Sequence, residues 1–73
     1  METIATRIKR LRRKKGMTQM RLAAEIGVTQ TTIFYWESGV HKPYPLSMIK
    51  LARALEVPCR ELMYGEGAEN ERT

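Results

Sequence analysis

Apolar side chains recur along most of this chain at offsets of three and four. That spacing places them on one stripe of an α-helix with about 3.6 residues per turn. Ile4, Ile8 and Leu11 mark a first helix over 4–15, with Thr3 as N-cap and Gly16 as the residue that ends it. Arg7, Lys9, Arg10, Arg12, Arg13, Lys14 and Lys15 are expected on its other, solvated faces. Met17 and Thr18 open a second helix, whose inner face is Leu22, Ala23 and Ile26 and whose end is Gly27. Arg21 stands where a capping box needs Glu or Gln, but Met17 and Leu22 are spaced as a hydrophobic staple.

Val28, Thr29 and Ile33 repeat that device at the start of a third helix, which Gly39 closes. Ile33 and Trp36 point inward there, leaving Gln30, Thr31, Phe34 and Tyr35 outward or sideways. Two β-branched threonines and two aromatics give this helix a poor intrinsic propensity, so packing has to hold it. Pro45 fits the first turn of a fourth helix with a stripe of Met48, Ile49, Ala52 and Leu55. Val57-Pro58 breaks it, and Cys59 to Tyr64 leaves room for one short helix with Leu62 and Met63 on its apolar side. The expected fold is all-α, a compact five-helix bundle over residues 1–64. Residues 65–73 are acidic and lack apolar periodicity, and are expected to be disordered.

Charge adds a partner to this picture. The net charge is +5, and it is uneven: residues 1–64 hold 12 Lys and Arg against 5 Asp and Glu, while 65–73 hold one Arg against three Glu. A basic body of this size points to a polyanion. Cys59 is the single cysteine, which leaves no disulfide framework. The chain holds no apolar run of spanning length and no signal-peptide core, so a cytoplasmic protein with no membrane role is expected. One His, one Cys and Glu residues scattered over different helices give no catalytic triad, dyad or metal site, and no Gly-rich phosphate loop is present. The expectation is a protein that is not an enzyme and uses no metal, cofactor or small-molecule ligand.

The most specific signal is a spacing. Counting Gln19 as one, a small residue falls at five (Ala23), Gly at nine (Gly27), a β-branched residue at fifteen (Ile33) and an apolar one at eighteen (Trp36). Two helices joined by a three- to four-residue turn cross closely, which demands the small side chain, and the turn demands a positive φ, which glycine permits. This is a helix-turn-helix.

The segments I-K-R-L-R-R-K-K-G-M-T-Q, L-A-A-E-I-G-V-T-Q-T-T-I, W-E-S-G and I-K-L-A-R-A-L-E-V carry a resemblance to the helix-turn-helix domains of phage repressor and Cro type, also called the xenobiotic-response-element family. It covers roughly residues 4–63. The resemblance implies a lambda-repressor-like bundle whose second helix crosses the DNA backbone and whose third enters the major groove. It makes Gln30, Thr31, Phe34 and Tyr35 the expected base readers. A Gln amide matches adenine N6 and N7, and a Thr methyl packs on a thymine methyl. Phe34 fills a position that is usually polar in that family, and either packs on thymine methyls or faces a neighbouring helix. Gln19, Thr29, Thr32, Arg12, Ser38 and Lys42 become the expected phosphate contacts. Arg12 and Glu37 resemble a structural ion pair tying the first helix to the end of the third.

The implied function is sequence-specific double-stranded DNA binding as a transcriptional regulator, a repressor or restriction-controller type. The alternative is a protein-interaction module of the same fold, of antitoxin or anti-repressor type. RNA binding lacks an aromatic stacking platform. One unit reads only a short half-site, so a homodimer on a palindromic operator is expected, with Tyr44, Pro58, Cys59, Met63 and Tyr64 as interface candidates. Leu62 is assigned instead to the monomer core. No sensory domain follows the unit in this sequence, so control through concentration or a second protein is expected.

Overall fold

A computed structural model describes residues 2–65. Five helices follow in order: α1 (Ile4–Lys14), α2 (Gln19–Ile26), α3 (Gln30–Ser38), α4 (Pro45–Leu55) and α5 (Cys59–Tyr64). The described residues contain no strand. The expected acidic tail lies outside the described residues except for Gly65, which is buried against the Arg7 guanidinium.

Threonine caps account for the start of the first three helices. Thr18 Oγ1 accepts from the Arg21 backbone N–H at 3.0 Å, and Thr29 Oγ1 accepts from the Thr32 N–H at 3.2 Å. Thr3 caps α1 in a fuller way. Its hydroxyl accepts from the Thr6 N–H at 3.2 Å, and Thr6 Oγ1 accepts the Thr3 N–H at 2.9 Å. That is a capping box closed by a threonine where Glu or Gln is the usual partner. Gly27 sits at φ +77° with its N–H bonded to the Ala23 carbonyl, which lets the chain reverse into α3 within three residues.

The core gathers Ile8, Leu11, Met17, Leu22, Ile26, Ile33, Trp36, Met48, Leu51, Leu55 and Leu62, with Ala23 and Ala52 at the close approaches. Both staples supply core residues, and α3 packs on α2 and α1 at once. Leu62 is fully buried, so α5 is pinned to the bundle by one side chain.

Two expectations are corrected. Leu51, not Ile49, completes the buried stripe of α4, and Ile49 is 46% exposed. Positions 48, 51, 52 and 55 follow the i, i+3, i+4, i+7 rule, whereas 49 is turned about 100° from 48. Arg7 and Arg12 do not lie on a solvated face; both are buried. Arg7 Nη1 donates to the carbonyls of Leu62 at 2.9 Å and Met63 at 3.1 Å, and its Nε pairs with Glu2 at 3.2 Å. A cation thus sits on the unsatisfied carbonyls that end α5, the negative pole of that helix.

Candidate nucleic-acid interface

The surface of interest is built around α3, which divides cleanly into two faces. Ile33, Trp36 and Glu37 are buried, while Gln30, Thr31, Phe34, Tyr35 and Ser38 are exposed. Residues four apart on a helix are neighbours, so Gln30 stands beside Phe34, and Thr31 beside Tyr35. The exposed strip is therefore continuous along the helix and is held in place by the residues behind it.

What holds it is a polar chain running outward from the core. Arg12 Nε and Nη2 donate to the two Glu37 carboxylate oxygens at 2.6 and 3.0 Å, and Nη1 donates to the Met17 carbonyl at 2.7 Å. The side chains of this pair are 9% and 3% exposed. The hydrogen bonds it donates to Glu37 hold the Arg12 guanidinium even above its ordinary high range, against the opposing effect of burial. Glu37 Oε1 also accepts from Gln19 Nε2 at 3.1 Å, and Gln19 Oε1 accepts from Gln30 Nε2 at 3.5 Å. Because Glu37 accepts only, the Gln19 amide must turn its NH₂ inward and its carbonyl toward Gln30. The buried charge pair thereby fixes the orientation of a half-buried glutamine, which in turn touches the first residue of α3.

The ion pair expected between Arg12 and Glu37 is present. Arg12 as a phosphate contact is corrected: the guanidinium is buried and spends three donors within the fold. Ser38 also points its hydroxyl proton at the Tyr35 carbonyl, 3.3 Å away, and so offers a phosphate no free donor in this rotamer. Thr29 and Thr32 differ. Their hydroxyls lie 3.0 Å apart and share one proton between them, which leaves the second O–H free to donate outward. Lys42 is exposed in the loop after α3. His41 in the same loop meets the Tyr35 ring edge-on, with centroids 5.3 Å apart and planes at 79°.

Three features elsewhere in the fold had no sequence signal strong enough to find them. Arg7 joins residues 55 apart through Leu62, and nothing local marks it among seven cations. Glu2 braces the same arginine and pairs with Arg10 at 2.6 Å. Leu46 and Ile49 join Tyr44, Met63 and Tyr64 as exposed apolar side chains on or beside α4 and α5. Of the expected interface candidates, Cys59 is half-buried and packs against the core.

The helix-turn-helix family model matches residues 8–62, the span from Ile8, the first buried apolar residue of α1, to Leu62. The chain belongs to the helix-turn-helix family. A helix-turn-helix-type transcriptional regulator of Archaeoglobus fulgidus is 36% identical over 64 residues, which is 88% of this chain and 91% of that protein. The family fold extends to solved structures. The P22 c2 repressor bound to a synthetic operator superposes with a TM-score of 0.85 at 26% identity, covering 90% of this chain and all of that one. The restriction-modification controller C.AhdI of Aeromonas hydrophila gives 0.79 at 32% identity, covering 82% of this chain and 91% of that one. The five-helix order of this helix-turn-helix protein is thus the phage-repressor fold.

Proposed function

We propose that this helix-turn-helix protein is a transcriptional regulator that lays the exposed face of α3 in the major groove of double-stranded DNA. The observation that carries the reading is the division of α3. Its amide, hydroxyl and aromatic side chains form one uninterrupted exposed strip, backed by a buried ion pair that positions Gln19 and Gln30. Kinship with regulators, and likeness to a repressor seated on its operator, support it from outside the chain. Gln30, Thr31, Phe34 and Tyr35 face base edges in this reading. Gln19, Lys42 and the Thr29–Thr32 pair meet phosphate, and Arg12 acts behind them as a positioning residue. No catalytic step is assigned to the chain, and its place of work is the cytoplasm. No helix among the described residues is long and apolar enough to cross a membrane.

A second copy completes the site. One α3 addresses a half-site, and a two-fold dimer addresses two half-sites about one helical turn apart. Tyr44, Pro58, Met63 and Tyr64 remain interface candidates on exposure, joined by Leu46 and Ile49.

Selection of duplexes from a random pool, followed by quantitative gel shift, tests the reading. Wild-type chain is expected to enrich a palindrome. Gln30→Ala should then relax preference at one position per half-site by about 1–3 kcal/mol. Lys42→Ala should weaken every sequence alike and lower the salt slope by about one. Failure to enrich any duplex would favour the protein-interaction alternative.

A further inference from the structure

Phe34 is the residue of α3 whose exposure has no explanation within the fold. It is 53% exposed and belongs neither to the core nor to the partly buried residues packed on it. Of its two expected settings, the one against a neighbouring helix is not found. Its ring lies 6.1 Å from that of Tyr35, centre to centre, tilted by 53°, and Tyr35 is in turn seated edge-on against His41. The three rings form a row on this part of the surface. It also shares the exposed strip with Gln30, Thr31 and Tyr35, whose polar atoms match hydrogen-bonding groups.

A phenyl ring offers no hydrogen bond, and the major-groove edge of a base pair offers it only one kind of apolar partner. Among the four bases, N7, O6, O4 and the exocyclic amines are polar; the thymine C5-methyl is the exception. Cytosine methylated at C5 displays the same methyl in the same place. Given the DNA-binding reading above, on which this rests, we propose that Phe34 makes the chain a reader of the pyrimidine C5-methyl group, one that accepts 5-methylcytosine in place of thymine where the ring lands. The ring covers the methyl from water, while Gln30, one turn earlier, fixes the register by hydrogen bonding. Recognition at that base pair follows the methyl more than the identity of the pair.

The test uses the full chain and a duplex selected from a random pool. Each thymine is replaced singly by deoxyuridine, and at the same positions a G·C pair is introduced with and without a 5-methyl on cytosine. Each comparison changes one methyl and leaves the hydrogen-bonding pattern alone. Wild-type chain is expected to lose about four-fold in affinity per methyl removed at one position in each half-site, and about fifteen-fold when both copies lose it. Methylated cytosine at that position should bind tighter than cytosine by the same factor.

In Phe34→Ser both ratios should fall to one there. Phe34→Leu, which retains an apolar side chain, should keep part of each. Wild-type ratios of one at every position would overturn the proposal, as would full ratios persisting in Phe34→Ser. A Phe34→Ser chain that binds every duplex as wild type does would place the ring against another protein and overturn it too. If the wild-type chain selects no duplex, the DNA-binding reading itself has failed, a result separate from selection without methyl discrimination.

Discussion

Removing the Glu37 carboxylate should damage this protein out of proportion to one side chain. Glu37→Ala deletes two hydrogen bonds to Arg12 and one to Gln19, at 2.6, 3.0 and 3.1 Å. Arg12 is left charged with its side chain 9% exposed and its hydrogen bond to the Met17 carbonyl in place. Stranding one member of a buried ion pair costs about 3–5 kcal/mol. At roughly 0.05–0.15 kcal/mol per residue, the 73-residue chain has about 4–11 kcal/mol in total. The variant is therefore expected to be marginal or unfolded at 25 °C. Trp36 is the only tryptophan and is 7% exposed, so urea unfolding followed by its fluorescence reports the loss directly. With a urea slope of about 1 kcal/mol per molar, the midpoint should fall by about 3 M or more. Replacing both partners, Arg12→Met with Glu37→Leu, should recover most of that loss, because neither variant charge is left stranded. A midpoint within 0.5 M of wild type in Glu37→Ala, at the same slope, would refute the reasoning. Any Glu37→Ala that remains folded should bind DNA more weakly with the same sequence preference, since Gln30 loses its brace and keeps its chemistry.

Other substitutions test the remaining structural claims. Arg7→Met should cost about 1.5–3 kcal/mol through its charged hydrogen bonds to Leu62 and Met63, and hydrogen exchange should locate the loss in α5. Gly27→Ala should cost about 1–2 kcal/mol in thermal unfolding, from the φ of +77° alone, since an added Cβ meets nothing within 4 Å. Glu2 is held below the usual carboxylate range by the hydrogen bond from Arg10, with Arg7 adding to it. Its folded pKa is thus below its unfolded one, so its contribution is present above the ordinary carboxylate range and is lost as pH falls through the folded value. Glu2→Gln should flatten that part of the acid limb of a stability–pH curve. DNA affinity should fall with salt at a slope of about −0.9 per phosphate neutralised, and a slope near zero would argue against the basic surface as the polyanion contact.

Features set by neighbours in the chain were legible in advance. Thr18 and Thr29 as caps, Gly27 as the reversal, and the inward pair Ile33 and Trp36 all follow from spacing, and each sits as expected. The capping box at Thr3 escaped notice because a threonine, Thr6, does the work of the usual Glu. Glu56 ends α4 in the left-handed region at φ +58°, where a glycine would mark the stop; its carboxylate meets Lys15 across the bundle. Ile49 and Leu51 are alike in hydropathy, and only the spacing from Met48, Ala52 and Leu55 separates them, in favour of Leu51. Arg7 and Arg12 show the deeper difficulty. A buried cation looks in sequence like any surface one until its acceptors, here on α5, α3 and the α1–α2 turn, are brought to it.

The division of labour within α3 has an evolutionary consequence. Ile33, Trp36 and Glu37 answer to the fold, and Gln30, Thr31, Phe34 and Tyr35 answer to whatever lies outside it. Changes in the second set leave the core untouched, so under the proposed reading new specificities are reachable by single steps without passing through unfolded intermediates. The same separation forbids a shortcut. Nine residues of weak helix propensity do not stay helical alone, so a peptide copied from α3 would carry the alphabet with nothing to hold the page. Under the proposed reading, specificity is transferred to this chain by grafting outward residues onto an intact bundle.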